Sequence, residues 1–307
     1  MGIIGWGGDN REFAETHRNK KRINKKNDMA YTAEISRQNP SCFLFLIDQS
    51  GSMSDNISGQ EKSKAQAVAD AINKLLSNLT IKCAKSEGVR DYYYVGVIGY
   101  GSSVGVAFTG GLAGRELVPI SDIANFPARI EERSKKIDDG AGGLIDQKVK
   151  FPIWFDPTAS GGTPMTSAFA KANQIVDHWL AQHPDCFPPT IIHITDGEST
   201  DGDPKEEMKR MVSKASSDGN VLLFNLHVSS NPNARTIEFP SNNESLPDQY
   251  SQMLFETASP LTGFMISIAK NEYNLNVSDN SKGFVLNGDL ALIITALDIG
   301  TRPSNLR

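Results

Sequence analysis

Residues Phe43 to Met53 read FLFLIDQSGSM, and the change of character at Asp48 decides how the chain is understood. The run from Cys42 to Ile47 is apolar without a break, as expected of a strand buried on both faces. It stops on an aspartate, after which Ser50 and Ser52 alternate with other residues around Gly51. Such a stretch can be a metal site, a nucleophile motif or a polar turn closing a strand. The remainder of the chain discriminates among them.

Outward from this point, strand-like segments alternate with helical patterns, which predicts an α/β domain. Glu61 to Leu79 places Ala65, Val68, Ile72, Leu75, Leu76 and Leu79 at helical spacing. Tyr92 to Gly101 and Ser103 to Phe108 read as strands joined by a glycine-serine turn, hence a hairpin. Ile120 to Ile137 reads as a helix interrupted by Pro127, and 138–160 as a long loop carrying Gly140, Gly142 and Gly143. Gly161 to His183 opens a further helix, with Thr163 at the expected N-cap and Pro164 at the first helical position. Pro189 to Thr200 repeats the opening pattern, a buried strand ending on an aspartate, Asp196. Asp203 to Gly219 reads as a capped helix and Asn220 to Val228 as a strand. A polar loop covers 229–248, then two helical stretches parted by Pro260, a short extended piece and a last helix. The expected architecture is a Rossmann-like, doubly wound, mostly parallel sheet with one antiparallel edge strand and helices on both faces. One domain over 41–300 is expected, preceded by a flexible basic extension over 1–40 and followed by a tail over 301–307.

Composition narrows the function. The chain has 307 residues, 39% hydrophobic, with a net charge of -5, which argues against a duplex-binding surface because phosphate neutralisation needs a basic footprint. The one basic run, Arg18 to Lys26, reads as a solvated tail. Cys42, Cys83 and Cys186 are odd in number and lack metal-ligand spacing, as free thiols in a reducing compartment would. The N-terminus has no secretion-signal pattern, and Trp6 spoils a myristoylation motif. The longest apolar run, Leu290 to Leu297, falls short of the ~20 residues that span a bilayer. A cytoplasmic protein with neither nucleic-acid nor membrane partners is expected.

Three loops present hard oxygen donors: Asp48, Ser50 and Ser52 in the first, Thr163 in the second, Asp196 in the third. In open α/β sheets sites gather at the carboxyl ends of strands, where strand order reverses. Small hard dications take oxygen ligands at near-octahedral geometry, a demand these five side chains meet if the loops converge.

DQSGSM, GGTPM and ITDGEST together resemble the three loops of the metal-ion-dependent adhesion site of von Willebrand factor type A domains. The resemblance implies that Asp48, Ser50, Ser52, Thr163 and Asp196 hold Mg²⁺, with Mn²⁺ or Ca²⁺ as alternatives, and that a Glu or Asp of a partner protein completes the shell. LFETASPLTGFM and GFVLNGDLALIITALDIGTR further resemble a bacterial cytoplasmic branch of that family, often encoded beside a serine/threonine kinase and a PP2C-type phosphatase. Implied settings are signalling or stress response with such a pair, or a scaffold in a larger complex such as a defence system.

Each residue also has an ordinary explanation. Thr163 can simply cap its helix, Asp196-Gly197 can turn the chain, and Ser50 and Ser52 can be loop hydroxyls. No enzyme is expected and no catalytic residue is assigned. Position 50 is serine where an Asp-x-Asp phosphotransferase would carry a second aspartate, and no P-loop or nucleophile elbow is present. A Mg²⁺-dependent hydrolase stands as the minor alternative. His193 and His227 lie in strands and read as core imidazoles.

Overall fold

The computed structural model of the protein describes residues 31–57, 60–138 and 143–302; expectations for 1–30, for Gly140 and Gly142, and for 303–307 fall outside them. In chain order the principal elements are β1 (Ser41–Asp48), α1 (Lys64–Cys83), β2 (Tyr93–Tyr100), β3 (Val104–Val106), β4 (Val118–Pro119), α2 (Ile120–Asn125), β5 (Arg129–Asp138) and β6 (Leu144–Ile153). There follow α3 (Met165–Gln182), β7 (Thr190–Thr195), α4 (Lys205–Ser213), β8 (Leu222–Val228), β9 (Ile237–Glu238), α5 (Gln249–Thr257), α6 (Gly263–Asn271), β10 (Phe284–Gly288) and α7 (Leu290–Thr301).

Every residue of β1 is buried. Its side chains alternate between two cores, Phe43, Phe45 and Ile47 entering one and Leu44 and Leu46 the other, as the two-residue period of a strand dictates. The first core is closed by α1, α2, α6 and α7, the second by α3, α4 and α5. Strand order in the main sheet is β9-β10-β8-β7-β1-β2-β3, with β4 also on β2. The β2–β1–β7–β8–β10 body is parallel. The hairpin partner β3 forms the expected antiparallel edge, and the two-residue β9 adds a second at the opposite side. The chain leaves β1 toward β2 on one side and later returns as β7 on the other. Their carboxyl ends therefore flank the point where the order reverses.

Helix starts follow local chemistry. Ser63 accepts from the Gln66 N–H at α1, Asp248 and Ser251 form a reciprocal capping box at α5, and Thr262 and Asp289 cap α6 and α7. Pro260 separates α5 from α6, as expected.

The segment after Asn125 departs from expectation. The helix over Ile120 to Ile137 ends at Asn125, and the anticipated loop 138–160 contains a ten-residue strand, β6, paired antiparallel with β5. The charge pattern explains why. Glu131 accepts from Arg129 at 2.7 Å and from Arg133 at 2.8 Å, and side chains two apart share a face in a strand but not in a helix. Arg133 also reaches Asp70 of α1 at 2.9 Å and lies 3.8 Å from the centre of the Phe151 ring, which fastens the hairpin across α1.

Residues 31–40 likewise differ from a flexible lead-in. Ile35 is buried, the Tyr31 hydroxyl donates to the Asn220 carbonyl, and the Thr32 N–H donates to Asp218. Cys42, Cys83 and Cys186 are free and buried. No helix among the described residues is long and apolar enough to cross a membrane.

His193 on β7 is fully buried and satisfied. Its Nε2 lies 2.7 Å from the Tyr100 hydroxyl and its Nδ1 2.9 Å from the Asn225 Oδ1. The Asn225 amide nitrogen donates to the Leu254 carbonyl, so its oxygen takes the Nδ1 proton and Tyr100 donates to Nε2. Burial pushes the His193 pKa down to about 4, partly offset by Asn225. The unfolded chain therefore binds a proton below about pH 6.5 that the folded chain refuses. Stability is full above that pH and falls as the pH drops toward 4. Between pH 7 and 5 the expected loss is about 2 kcal/mol, to which His227, also pushed down by burial, adds in the same direction. Urea midpoints at pH 7 and 5 should fall less in His193→Gln than in the wild type; equal falls refute the assignment.

Candidate metal centre

Asp48 is the last residue of β1, and none of its surface is exposed. The Ser50 N–H donates to Oδ1 at 2.8 Å, and the Thr195 hydroxyl lies 2.8 Å from Oδ2 and 3.0 Å from the Gly197 carbonyl. Burial raises the Asp48 pKa; bonds from Ser50 and Thr195 oppose the shift, and the charge of Asp196 adds to it. A buried carboxylate calls for a compensating charge, since burying an uncompensated one is costly.

The three loops are joined by their backbones. Gly51 N–H donates to the Gly161 carbonyl at 3.0 Å, and Ser160 N–H donates to the Gln49 carbonyl at 2.7 Å. The third loop closes on the second: Thr200 N–H donates to the Thr163 carbonyl and Thr163 N–H to the Thr200 hydroxyl, both at 2.9 Å. Gly161 makes this approach possible. Its φ is +81°, and a Cβ there would lie 2.5 Å from the Ser102 backbone nitrogen, so only glycine fits.

Within this frame three of the expected donors, Ser50, Ser52 and Asp196, meet. Ser50 Oγ lies 3.1 Å from Ser52 Oγ, and Ser52 Oγ donates to Asp196 Oδ1 at 2.8 Å. Thr163 is buried, and its hydroxyl makes no hydrogen bond with any described residue. The expected capping role of Thr163 is not observed. Helix α3 begins at Met165 and Pro164 occupies the N-cap without a side-chain bond, one position later than expected. The carboxylate of Asp201 instead accepts from the Thr166 and Ser167 N–H groups, each at 2.9 Å, and from the Ser167 and Ser199 hydroxyls. Burial acts to raise the Asp201 pKa, but these donors outweigh it and lower the pKa. Asp201 was not foreseen, although an acidic residue on a neighbouring loop is a common way to satisfy a helix N-terminus.

Lys64, the first residue of α1, was also missed. It is 3% exposed, and its Nζ lies 2.6 Å from Asp196 Oδ2 and 3.8 Å from Asp55. Asp196 Oδ2 accepts no hydrogen bond; the lysine contact is an ion pair without hydrogen-bond angles. Nothing in the string marks this lysine, since Lys62 stands two residues earlier and points to Asp70.

Three hydroxyls and two carboxylates form a donor set of hard oxygens suited to Mg²⁺, Mn²⁺ or Ca²⁺. Among the described residues no three His, Cys, Asp or Glu side chains stand together for a metal, so the hydroxyls are needed for such a set. A cleft of about 630 Å³ opens on the third loop, lined by its Glu198 and Ser199 and by Asp203, Lys205, Tyr250 and Glu256, with none of the five donors in its lining. The Tyr250 hydroxyl donates to the Gly197 carbonyl, tying α5 to the third loop.

No family model and no curated protein matches the chain. Among solved structures it is similar to the vWF domain of the type V pili tip protein Mfa5 from Porphyromonas gingivalis. Identity there is 15%, covering 52% of this chain and 39% of that one, with a TM-score of 0.30. It is also similar to the manganese-loaded TRAP protein of Plasmodium vivax, at 15% identity over 66% and 61% of the two chains and a TM-score of 0.34. The pilus adhesin RrgA of Streptococcus pneumoniae matches at 16% identity over 59% and 24%, with a TM-score of 0.28. The chain spans less than two thirds of the length of each of these structures.

Proposed function

We propose that the protein is a cation-dependent protein-interaction module in which Asp48, Ser50, Ser52, Thr163 and Asp196 hold a divalent cation that binds an acidic side chain of a partner. The observation that carries this reading is the bond between the first and third loops, Ser52 to Asp196, with Ser50 beside Ser52 and Asp48 buried. Turn formation alone does not call for it. Assignment of the α3 N-terminus to Asp201 supports it further, because the Thr163 hydroxyl is left for another partner. When bound, the cation supplies a Lewis-acidic point for a carboxylate. The chain's own residues fix where that point lies, exclude water from one side and, through the cleft by Glu198 and Tyr250, shape what surrounds it.

We take Mg²⁺ as the cation, with Mn²⁺ or Ca²⁺ as alternatives that the same hard oxygens suit. The C-terminal stretches that resemble the bacterial cytoplasmic branch point to signalling or stress response beside a kinase and a PP2C-type phosphatase, or to a scaffold in a larger assembly. We read the protein as a binder rather than an enzyme. Affinity capture with Mg²⁺, with EDTA and with Asp48→Asn bait is the test. The same partner should be lost under the last two conditions, and its retention in both refutes the proposal. Phosphomonoester turnover that disappears in Asp48→Asn would establish the hydrolase instead.

A further inference from the structure

We propose that Lys64 is a built-in counter-ion of this site, one that weakens binding of the bare dication and leaves the loaded site positive enough to favour an anionic ligand. The inference rests on the five oxygen donors being a cation site.

Position 64 is a costly place for a lysine. The side chain is 4% exposed, although lysine is almost never buried unless paired. It also begins a helix, where the backbone dipole disfavours positive charge. Lys62, two residues earlier, shows that this segment can present its lysine outward, with 41% of that side chain exposed. Asp196 is the group that offsets the cost. Its side chain is fully buried, with Oδ1 taken by Ser52 and Oδ2 facing the Lys64 ammonium. Both oxygens that a dication would use are therefore engaged by the chain itself. Asp55, 3.8 Å from the same ammonium and 62% exposed, offers a second carboxylate to which Lys64 can turn when a dication takes Oδ2.

Charge tallies give the consequence. Asp48, Asp196 and Lys64 sum to one negative charge, a dication brings the site to one positive, and a ligand carboxylate brings it to zero. Without Lys64 the same three states are two negative, zero and one negative. Buried charge is most stable near neutrality, because charges interact strongly away from water. Lys64 thus moves the neutral state from the metal-loaded site to the metal-plus-ligand site. Binding of cation and acidic ligand becomes mutually supportive, and the bare cation is held loosely.

The test uses the full chain stripped with chelator, titrated with Mn²⁺ alone and followed by the electron paramagnetic resonance of free Mn²⁺, with thermal unfolding alongside. Lys64→Gln should bind Mn²⁺ about tenfold tighter or more and show a larger Mn²⁺-dependent rise in unfolding temperature than the wild type. Lys64→Arg, which keeps the charge, should stay within a few-fold of the wild type. Binding by Lys64→Gln where the wild type shows none also upholds the proposal. Equal or weaker Mn²⁺ binding by folded Lys64→Gln overturns it, as does tightening by Lys64→Arg to the same extent. If the glutamine variant does not fold, Lys64→Met takes its place, and recovery of its fold by Mn²⁺ but not by NaCl counts in favour. Silence of all variants and of the wild type removes the cation site and this inference with it. A failure confined to Lys64 is distinct, because the wild type then binds Mn²⁺.

Discussion

Asp48→Asn should greatly weaken divalent-cation binding while leaving the metal-free protein at least as stable as the wild type. The asparagine oxygen can still accept from the Ser50 N–H. Thr195 can turn its proton to the Gly197 carbonyl, 3.0 Å away, and accept from the new amide. Every hydrogen bond is retained and only the buried charge is lost. Because that charge costs free energy without a cation, the variant should gain about 1 kcal/mol. Mn²⁺ affinity should fall on the order of a hundredfold or more, since site affinity follows the charge of its ligands. Calorimetric titration checks the affinity, and thermal unfolding without metal checks the stability. Mn²⁺ binding within tenfold of the wild type would remove Asp48 from the ligand set. A metal-free variant several degrees less stable would show that the carboxylate is instead a structural anchor.

Gly161→Ala should be strongly damaging to both stability and the site. The new Cβ meets the Ser102 nitrogen at 2.5 Å and its Cα at 2.6 Å, both backbone atoms that cannot rotate aside. A non-glycine residue at φ +81° adds a further cost of about 1–2 kcal/mol. Together these predict a loss of about 3 kcal/mol or more, roughly 6–12 °C in unfolding temperature for a domain of this size. Cation binding should weaken as well, because the Gly161 carbonyl holds Gly51 between Ser50 and Ser52. Gly197→Ala is the matched control. It sits beside Asp196, yet a Cβ there meets nothing within 4 Å, and its effect should stay within about 0.5 kcal/mol. Comparable damage from both substitutions would mean that these loops are sensitive to any change and that Gly161 has no special place.

The parts of the molecule legible in the sequence are those where one physical requirement acts over many residues. Burial on both faces makes β1 apolar without a break from Cys42 to Ile47 and leaves β7 and β8 rich in Ile and Leu, and strands buried in this way announce themselves. Pro260 parts two helices by a rule that operates within a few residues. The β5–β6 hairpin was misread because Arg129 to Lys136 is rich in charged helix formers, and its true pattern, Glu131 shared by Arg129 and Arg133, is visible only once the strand is drawn. Asp201 and Lys64 escaped for a different cause. Each acts on residues more than thirty positions away, and neither carries a local pattern. The five proposed ligands could be picked out from three short stretches, but the side chains that settle their environment could not. Thr163 illustrates the gap: its sequence context reads as a cap, and only the carboxylate of Asp201 in that place shows that it is not.

The lacing of the loops also sets an order in time. Ser52 and Asp196 are separated by 144 residues, and no shorter stretch of chain holds both. At synthesis rates of about 5–20 residues per second, the first loop precedes the third by roughly 7–30 s. During that interval Asp48, Ser50 and Ser52 would supply only part of the proposed ligand set, with one carboxylate of its two, and β1 lacks its β7 neighbour. A cation bound as proposed would therefore lock a domain that has already assembled rather than nucleate one. The instructions for folding must reside in the apolar strands, which leaves the oxygen-bearing loops free to be shaped by what they bind.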